Sequence, residues 1–172
     1  MLDLYCYGGG FALNAIAGGA RSALLVDESA RALELARDNA ALQEVADRVE
    51  TREGEVFDVV EELARERRRF GLVIADPPSF VKSRSKIATG LRAYRRLAEG
   101  CARLVAENGV LCMACCSHNV SAEEFRREVL TGIRAASRGA RQLLFAGAAP
   151  DHPVHPTLAE SAYLKFYAFA LD

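Results

Sequence analysis

The chain has 172 residues, 51% of them hydrophobic, and a formal net charge of −1 at pH 7. This length and apolar content suit one compact domain, which we place over residues 1–172, and exclude two. The near-zero net charge excludes a protein that is held on nucleic acid by bulk positive charge. Any such binding would need a local basic patch.

The five cysteines do not form a disulfide or zinc pattern, since Cys115 and Cys116 are adjacent and the other three are dispersed among apolar residues. A reducing, cytoplasmic compartment is therefore expected. No apolar run approaches the ~18 residues needed to span a bilayer, and the first residues lack the pattern of a signal peptide. We expect a soluble protein.

Short β-rich runs alternate with amphipathic helical patterns along the chain, which is typical of a doubly wound α/β sheet. Helices are predicted at residues 11–17, 29–42, 56–66, 88–106 and from 121 onward, with Ser29 as one N-cap and Ser121 with Glu124 as a capping box. Strands are predicted at 2–5, 22–26, 48–52, 70–75, 110–115, 141–146 and 162–170. The last two have no helix between them, so the sheet should be mostly parallel and end in an antiparallel hairpin.

A glycine turn and an acidic residue follow the first two predicted strands. Gly8, Gly9 and Gly10 let the backbone approach a ligand closely, and Asp27 stands 19 positions after Gly8. This spacing suits an acidic side chain that binds the hydroxyls of an adenosine ribose. A plain tight turn and a helix-capping Asp27 are the structural alternatives, and a dinucleotide dehydrogenase would fit equally well.

The fourth predicted strand ends in Asp76-Pro77-Pro78-Ser79-Phe80. Two prolines stiffen this turn and remove two backbone donors, so carbonyls and a carboxylate are left to face the ligand crevice. An ordinary proline-rich turn would not explain a carboxylate followed by an aromatic ring that could stack on a base. A dehydrogenase has no evident need for this motif, which makes that alternative the weakest.

Seven short motifs follow one another along the chain: residues 3–11 (Asp-Leu-Tyr-Cys-Tyr-Gly-Gly-Gly-Phe), Val26-Asp27, 54–58 (Gly-Glu-Val-Phe-Asp), 76–80 with Lys82, 115–118 (Cys-Cys-Ser-His), 151–153 (Asp-His-Pro), and 160–161 with 163–165 (Tyr-Leu-Lys). In that order they resemble the bacterial 23S rRNA 5-methylcytosine methyltransferase I family, and the match covers essentially the whole chain. It corresponds to the catalytic domain of that family. The chain departs from the family pattern at Gly8, usually Thr, at Glu55, usually Asp, and in Cys-Cys-Ser, more often Ser-Cys-Ser.

The resemblance implies a class I methyltransferase with a Rossmann-like sheet that uses S-adenosylmethionine and acts on RNA, most specifically rRNA. It assigns cofactor binding to Asp3, Tyr7, Gly9, Gly10, Asp27, Glu55, Asp76 and Pro77. Oligomeric state stays open, with a homodimer as one possibility.

Carbon 5 of cytosine is a poor nucleophile, and a cysteine thiolate that adds to carbon 6 activates it. The resemblance assigns this role to Cys116, and Asp76 could hydrogen-bond the base and stabilise its protonated form. The alternative for Cys116 is a buried packing residue, which is the expected role of Cys115. We expect His118 to be a local hydrogen-bonding residue, and His152 and His155 to order a proline-rich turn.

Residues 77–98 contain six basic side chains and no acidic one. They begin beside the proposed pocket and suit a phosphate backbone that leads a base into it, although a solvated helix face is the alternative. The predicted substrate-binding residues are Pro78, Phe80, Lys82, Arg84 and Lys86.

Two further functions remain open. An exocyclic-amine nucleic-acid methyltransferase would hold the amino group with the acceptors of the Asp-Pro-Pro turn and would need no cysteine. A non-catalytic remnant that binds S-adenosylmethionine or RNA would retain the fold without the chemistry.

Overall fold

A computed structural model describes residues 1–81 and 83–172. One seven-stranded sheet, in the order β3-β2-β1-β4-β5-β7-β6, organises the chain. The first five strands are parallel, and β7 runs antiparallel to both β5 and β6. The strands are β1 (Leu2–Leu4), β2 (Ala23–Asp27), β3 (Val49–Glu53), β4 (Phe70–Ala75), β5 (Val105–Cys115), β6 (Ala140–Ala146) and β7 (Lys165–Leu171). The predicted α/β, doubly wound, mostly parallel sheet with a C-terminal hairpin is confirmed.

Helices cover both faces of the sheet. They are α1 (Gly10–Ala17), α2 (Ala30–Leu42), α3 (Val56–Arg65), α4 (Ile87–Leu104) and α5 (Ala122–Ala135). The larger apolar cluster joins α3, α4 and α5 to one face of the strands, and a smaller cluster joins α1 and α2 to the other. Within the described ranges, no helix combines the length and the apolar character needed to cross a membrane.

The helix starts show why local sequence was informative. The Ser29 hydroxyl accepts a hydrogen bond from the Ala32 amide at 3.3 Å, as expected of an N-cap. The Ser121 hydroxyl accepts from the Glu124 amide at 3.2 Å, and the Glu124 carboxylate accepts from the Ser121 amide at 3.0 Å. Both predicted caps are confirmed.

Strand β5 is longer than predicted, because it begins at Val105 and not at Val110. Val105 pairs with Phe70, Val110 pairs with Leu72, and the register shifts between these two pairs. Asn108 adopts a positive φ of 58° within this stretch. The polar run before Val110 has the composition of a turn, yet pairing with β4 on either side keeps it in the sheet.

The loop after β4 is held directly on α4. A Cβ atom at Gly90 would lie 2.7 Å from the Phe80 carbonyl oxygen and closer still to the Val81 side chain. Because only glycine permits this approach, Gly90 fixes residues 80–81 against the helix. The loop that follows Asp76 is therefore well supported by the core.

Candidate functional site

Three carboxyl groups meet where β1, β2 and β4 lie side by side. Asp3 lies on β1, Asp27 ends β2, and Asp76 directly follows β4. Asp3 is 1% exposed, and its Oδ2 accepts a hydrogen bond from the Ala12 amide at 3.0 Å. Its Oδ1 is buried and has no hydrogen-bond partner among the described residues.

Burial raises the pKa of Asp3 to about 7, and the charges of Asp76 and Asp27 raise it further while the Ala12 hydrogen bond opposes them. Burial also raises the pKa of Asp76, and nearby His152 acts in the opposite direction. Such a group of mutually repelling carboxyls would be relieved by a positively charged ligand.

The turn after β1 brings its backbone close to the neighbouring elements. Gly9 has φ +78°, and a Cβ atom there would lie 2.9 Å from the Leu25 side chain. Tyr5 and Tyr7 also adopt positive φ values, of 61° and 46°. A Cβ at Gly10, by contrast, would meet no atom within 4 Å. The turn therefore packs inward through Gly9 and leaves open space at the start of α1.

Asp27 joins this turn to the end of β2. Its Oδ2 accepts from the Tyr7 amide and its Oδ1 from the Ser29 amide, each at 3.0 Å. The helix-start contact that we considered as an alternative thus exists. Each carboxylate oxygen can accept a second hydrogen bond, and the side chain is partly exposed. Ribose binding by Asp27 stays a prediction that this geometry permits.

Glu55 is the N-cap of α3. Its carboxylate accepts from the Phe57 amide at 2.9 Å and from the Asp58 amide at 3.2 Å. Burial raises the pKa of Tyr5, and the negative charge of Glu55 adds to this effect. The sequence motif therefore has a structural role at this position, and cofactor contact by Glu55 stays a prediction.

Phe80 packs in an aromatic cluster. Its ring centroid lies 4.8 Å from that of Tyr94, 6.1 Å from Phe57 and 6.5 Å from Tyr5. These neighbours hold the partly exposed ring in place. The contacts of the Phe80 ring are thus largely with the core. Stacking of this ring on a base stays a prediction.

The two adjacent cysteines lie in different environments. Cys115 is the last residue of β5 and is fully buried in the larger apolar cluster, whereas Cys116 is partly exposed. Of the five free cysteines, Cys116 is the only one that is not buried. Its Sγ lies 3.8 Å from the Pro77 carbonyl oxygen, which brings the thiol to the Asp-Pro-Pro turn.

Burial raises the pKa of the Cys116 thiol, and the neighbouring Cys115 and Asp76 add to this effect. The positive charge of Lys165 acts in the opposite direction. Asp76 and Lys165 thus act in opposite directions on the ionisation of this partly exposed cysteine.

A cavity of about 330 Å³ opens beside Asp76. The rings of Phe11 and Phe166 line it and stack on one another, with centroids 6.2 Å apart. His152 also lines it, with Nδ1 at 3.2 Å from the Asp151 carboxylate. His152 was expected only to order its proline-rich turn, yet it lies at the cavity beside Asp76.

His155 does order its turn, since its Nδ1 accepts from the Thr157 amide at 3.3 Å. Across residues 1–81 and 83–172, no group of three His, Cys, Asp or Glu side chains is arranged to hold a metal ion. The cavity beside Asp76 is lined by the carboxyl groups of Asp76 and Asp151, the imidazole of His152 and the ammonium group of Lys165.

The basic segment divides into two sets of side chains. Arg95 pairs with Glu128, with its Nε at 2.8 Å, and Arg96 pairs with Glu61 at 2.9 Å. These ion pairs join α4 to α5 and to α3, but both arginines remain exposed, so RNA contact by this segment stays a prediction. Arg84, Lys86 and Arg92 are exposed. Lys82, also predicted to bind substrate, lies outside the described residues.

Comparison with known proteins decides the family. A family described as S-adenosylmethionine-dependent methyltransferase matches residues 1–170. The chain belongs to this family. A protein from Deinococcus radiodurans named ribosomal RNA large subunit methyltransferase is 38% identical over 173 residues, which cover 100% of this chain and 42% of that protein. Ribosomal RNA large subunit methyltransferase I of Aeromonas hydrophila is 31% identical, with coverage of 96% and 42%.

A solved structure described as a methyltransferase complexed with SAH matches the chain with a TM-score of 0.84 and 22% identity, over 98% of this chain and 44% of that one. This likeness supports the fold. The chain spans less than half the length of the relatives it matches.

The residues of the site fit the cofactor of the family. S-adenosylmethionine carries a sulfonium and an ammonium group, and both cations suit the cluster of Asp3, Asp27 and Asp76. The buried Asp3 Oδ1 has no hydrogen-bond partner among the described residues, so it could accept from a donor of the cofactor such as its ammonium group. S-adenosylmethionine is the cofactor of this methyltransferase family.

Proposed function

We propose that this methyltransferase forms 5-methylcytosine in ribosomal RNA, with Cys116 as the covalent nucleophile. The observation that carries the proposal is the contact between the Cys116 thiol and the Pro77 carbonyl oxygen at 3.8 Å. It places the only partly exposed thiol of the chain at the turn that bears Asp76. The names of the relatives support an rRNA substrate.

In this proposal the Cys116 thiolate adds to carbon 6 of the cytosine, which makes carbon 5 nucleophilic. S-adenosylmethionine, when bound, supplies the electrophilic methyl group. Once the bond between carbon 5 and the methyl group has formed, carbon 5 loses its proton to a base and the bond from carbon 6 to Sγ breaks. The pyrimidine ring and the Cys116 thiolate are thereby restored.

Asp76 holds the cytosine. It lies beside the thiol and lines the cavity next to β4, where its carboxyl group can hydrogen-bond the ring and stabilise its protonated form. Burial raises the pKa of Asp76. Protonating this carboxyl group therefore costs less free energy than protonating an exposed one, so Asp76 can exchange a proton with the cytosine ring.

The residues at the neighbouring strand ends would hold the cofactor. Asp27 would bind the ribose hydroxyls, and the glycine turn would hold the methionine part. The full set of proposed cofactor-binding residues is Asp3, Tyr7, Gly9, Gly10, Asp27, Glu55, Asp76 and Pro77. This arrangement places the cofactor across the carboxyl ends of β1, β2 and β4, where ligands of open α/β sheets bind.

RNA reaches the site along the exposed part of the basic segment. Arg84 and Lys86 contact phosphates, and Pro78 and Phe80 guide the base, with Lys82 as a further phosphate ligand. Arg95 and Arg96 already form ion pairs with carboxylates. We therefore expect fewer phosphate contacts than the six basic residues of the segment would allow.

An exocyclic-amine methyltransferase is the second candidate, and the acceptors of the Asp76-Pro77 turn favour it. Such an enzyme would hold the amino group with the Asp76 carboxylate and the Pro77 carbonyl. In this structure the Pro77 carbonyl accepts from Cys116, and its second lone pair could still accept from an amino group. The two candidates therefore differ in whether Cys116 is needed for the reaction.

Covalent trapping tests the proposal. RNA that contains 5-fluorocytosine should form a stable adduct with the wild-type chain in the presence of S-adenosylmethionine, because the fluorine cannot leave as a proton does. Cys116→Ser should form none, while the matched control Cys115→Ala should still be trapped. An adduct on Cys116→Ser would refute the role of Cys116. If the chain does not bind S-adenosylmethionine in calorimetry, it is a non-catalytic remnant.

A further inference from the structure

Lys165 is a buried lysine at the start of β7. It is 6% exposed, and its ammonium donates hydrogen bonds to the carbonyl oxygens of Ser117 and Val120, the latter at 2.7 Å. Within the described part of the chain, no carboxylate forms an ion pair with it. Burying an unpaired ammonium costs free energy, so an apolar side chain would be the cheaper choice for packing alone.

The partners of Lys165 identify what the charge holds. Ser117 and Val120 delimit the turn that follows Cys116, and the Val120 amide donates back to the Ser117 carbonyl. The Ser117 hydroxyl, also buried, donates to the Val81 carbonyl at 3.1 Å. Lys165 thus ties the turn after Cys116 to β7, while Ser117 ties it to the loop after β4.

The strand pairing brings the lysine beside the cysteines. Cys115 is the register partner of Lys165 between β5 and β7. Two groups that face Cys116, Cys115 and Asp76, disfavour its thiolate, and Lys165 favours it. Burial lowers the pKa of Lys165, and the charges of Cys115, Cys116 and Glu124 act against this effect and favour the ammonium form. Lys165 is therefore the cation that can offset Asp76 at the thiol.

We propose that Lys165 is a positioning residue for Cys116, which fixes the turn beside the thiol and supplies the positive charge that stabilises its thiolate. The inference rests on the proposed role of Cys116 as nucleophile, but its test needs neither RNA nor methyl transfer.

The test is the pH profile of Cys116 alkylation by iodoacetamide, followed by mass spectrometry of the peptide. Lys165→Arg keeps the charge, Lys165→Gln keeps a donor without the charge, and Lys165→Met removes both. In Lys165→Gln and Lys165→Met the midpoint should rise by about one pH unit, so that alkylation at neutral pH slows about tenfold. Lys165→Arg should stay close to the wild type.

If Lys165→Gln matches the wild type, or if Lys165→Met leaves the midpoint unchanged, the electrostatic role is wrong. Circular dichroism checks that the variants fold, and failure of both neutral variants to fold would make Lys165 a structural residue and overturn the proposal. If the wild-type chain does not trap 5-fluorocytosine RNA but the alkylation midpoints differ between the variants as expected, the proposed function is refuted. The effect of Lys165 on the Cys116 thiol would still stand. The two proposals therefore fail separately.

Discussion

The Cys116 Sγ atom lies 3.8 Å from the Pro77 carbonyl oxygen, although 39 positions separate the two residues. The contact follows from the sheet, because β4 and β5 are parallel neighbours in which Ala75 pairs with Met113. The segments that leave these strands emerge at the same edge. The parallel pairing of β4 and β5 is therefore sufficient to bring the Asp76 turn and the Cys116 thiol together.

The ribose contact can be tested at Asp27. Asp27→Ala removes two acceptors for the ribose hydroxyls, so S-adenosylmethionine binding should weaken by about 2 to 4 kcal/mol. Isothermal titration calorimetry measures this. Because Asp27 also accepts from the amides of Tyr7 and Ser29, circular dichroism must first show that the variant is folded. Asp27→Asn keeps one of the two acceptor oxygens and should lose less affinity. Unchanged affinity in Asp27→Ala would rule out the assignment.

Stability should fall with pH because of Asp3. Its folded-state pKa of about 7 lies above the ordinary value of 3.8, so between these values the folded protein retains a proton that the unfolded chain has lost. Unfolding free energy therefore decreases as pH rises from about 4 to about 7, by up to about 4 kcal/mol. Asp3→Asn cannot ionise and should lack this decrease in urea titrations. If the unfolding free energy of both proteins has the same dependence on pH, burial does not raise the pKa of Asp3 in the folded protein.

Cofactor affinity should change with pH in the opposite sense. Bound S-adenosylmethionine brings positive charge to the carboxyl cluster and should lower the pKa of Asp3, so binding releases a proton. Affinity measured by calorimetry should then rise between about pH 5 and pH 8, and Asp3→Asn should flatten the rise. If the affinity of the wild type does not change with pH, the positively charged groups of the cofactor do not bind near Asp3.

The exposed cations should carry the RNA affinity. Replacing Arg84 and Lys86 with Ala should weaken binding to single-stranded RNA and reduce the slope of log K against log salt by roughly 1.4, about 0.7 for each phosphate contact. Arg96→Ala is the matched control, because Arg96 is held by Glu61. Fluorescence anisotropy over a salt series gives the slopes. Equal slopes in all three proteins would mean that this segment is only a solvated surface.

Cys115 should matter for stability and not for catalysis. Its side chain is fully buried in the larger apolar cluster, so Cys115→Ala should lower the free energy of unfolding by about 1 to 2 kcal/mol through lost packing. Urea denaturation measures the loss, and methyl transfer should continue. A catalytic defect in the folded variant would point to Cys115 as the reacting thiol.

Features set by neighbours in sequence could be predicted. The caps at Ser29 and Ser121 depend on side chains within three residues, so their motifs were sufficient. The first part of β5 was missed, because the polar run around Asn108 resembles a turn and only the pairing with β4 reveals the strand.

Features set by distant residues could not be predicted. The ion pair of Arg95 joins residues 33 positions apart, so the sequence alone made that side chain look available to RNA. His152 and Lys165 reach the site from the C-terminal hairpin region, and only the antiparallel return of β7 beside β5 brings Lys165 to the cysteines. In each case the tertiary partner, and not the local pattern, determines the role.

Nucleoside analysis of the reaction product tests the central claim most directly. Ribosomal RNA incubated with the chain and isotopically labelled S-adenosylmethionine, then digested and separated by mass spectrometry, should yield labelled 5-methylcytidine. The wild type and Cys115→Ala should both produce it, and Cys116→Ser should produce none while still binding S-adenosylmethionine. A label on an exocyclic amine, or full activity in Cys116→Ser, would contradict cysteine-dependent methylation of carbon 5.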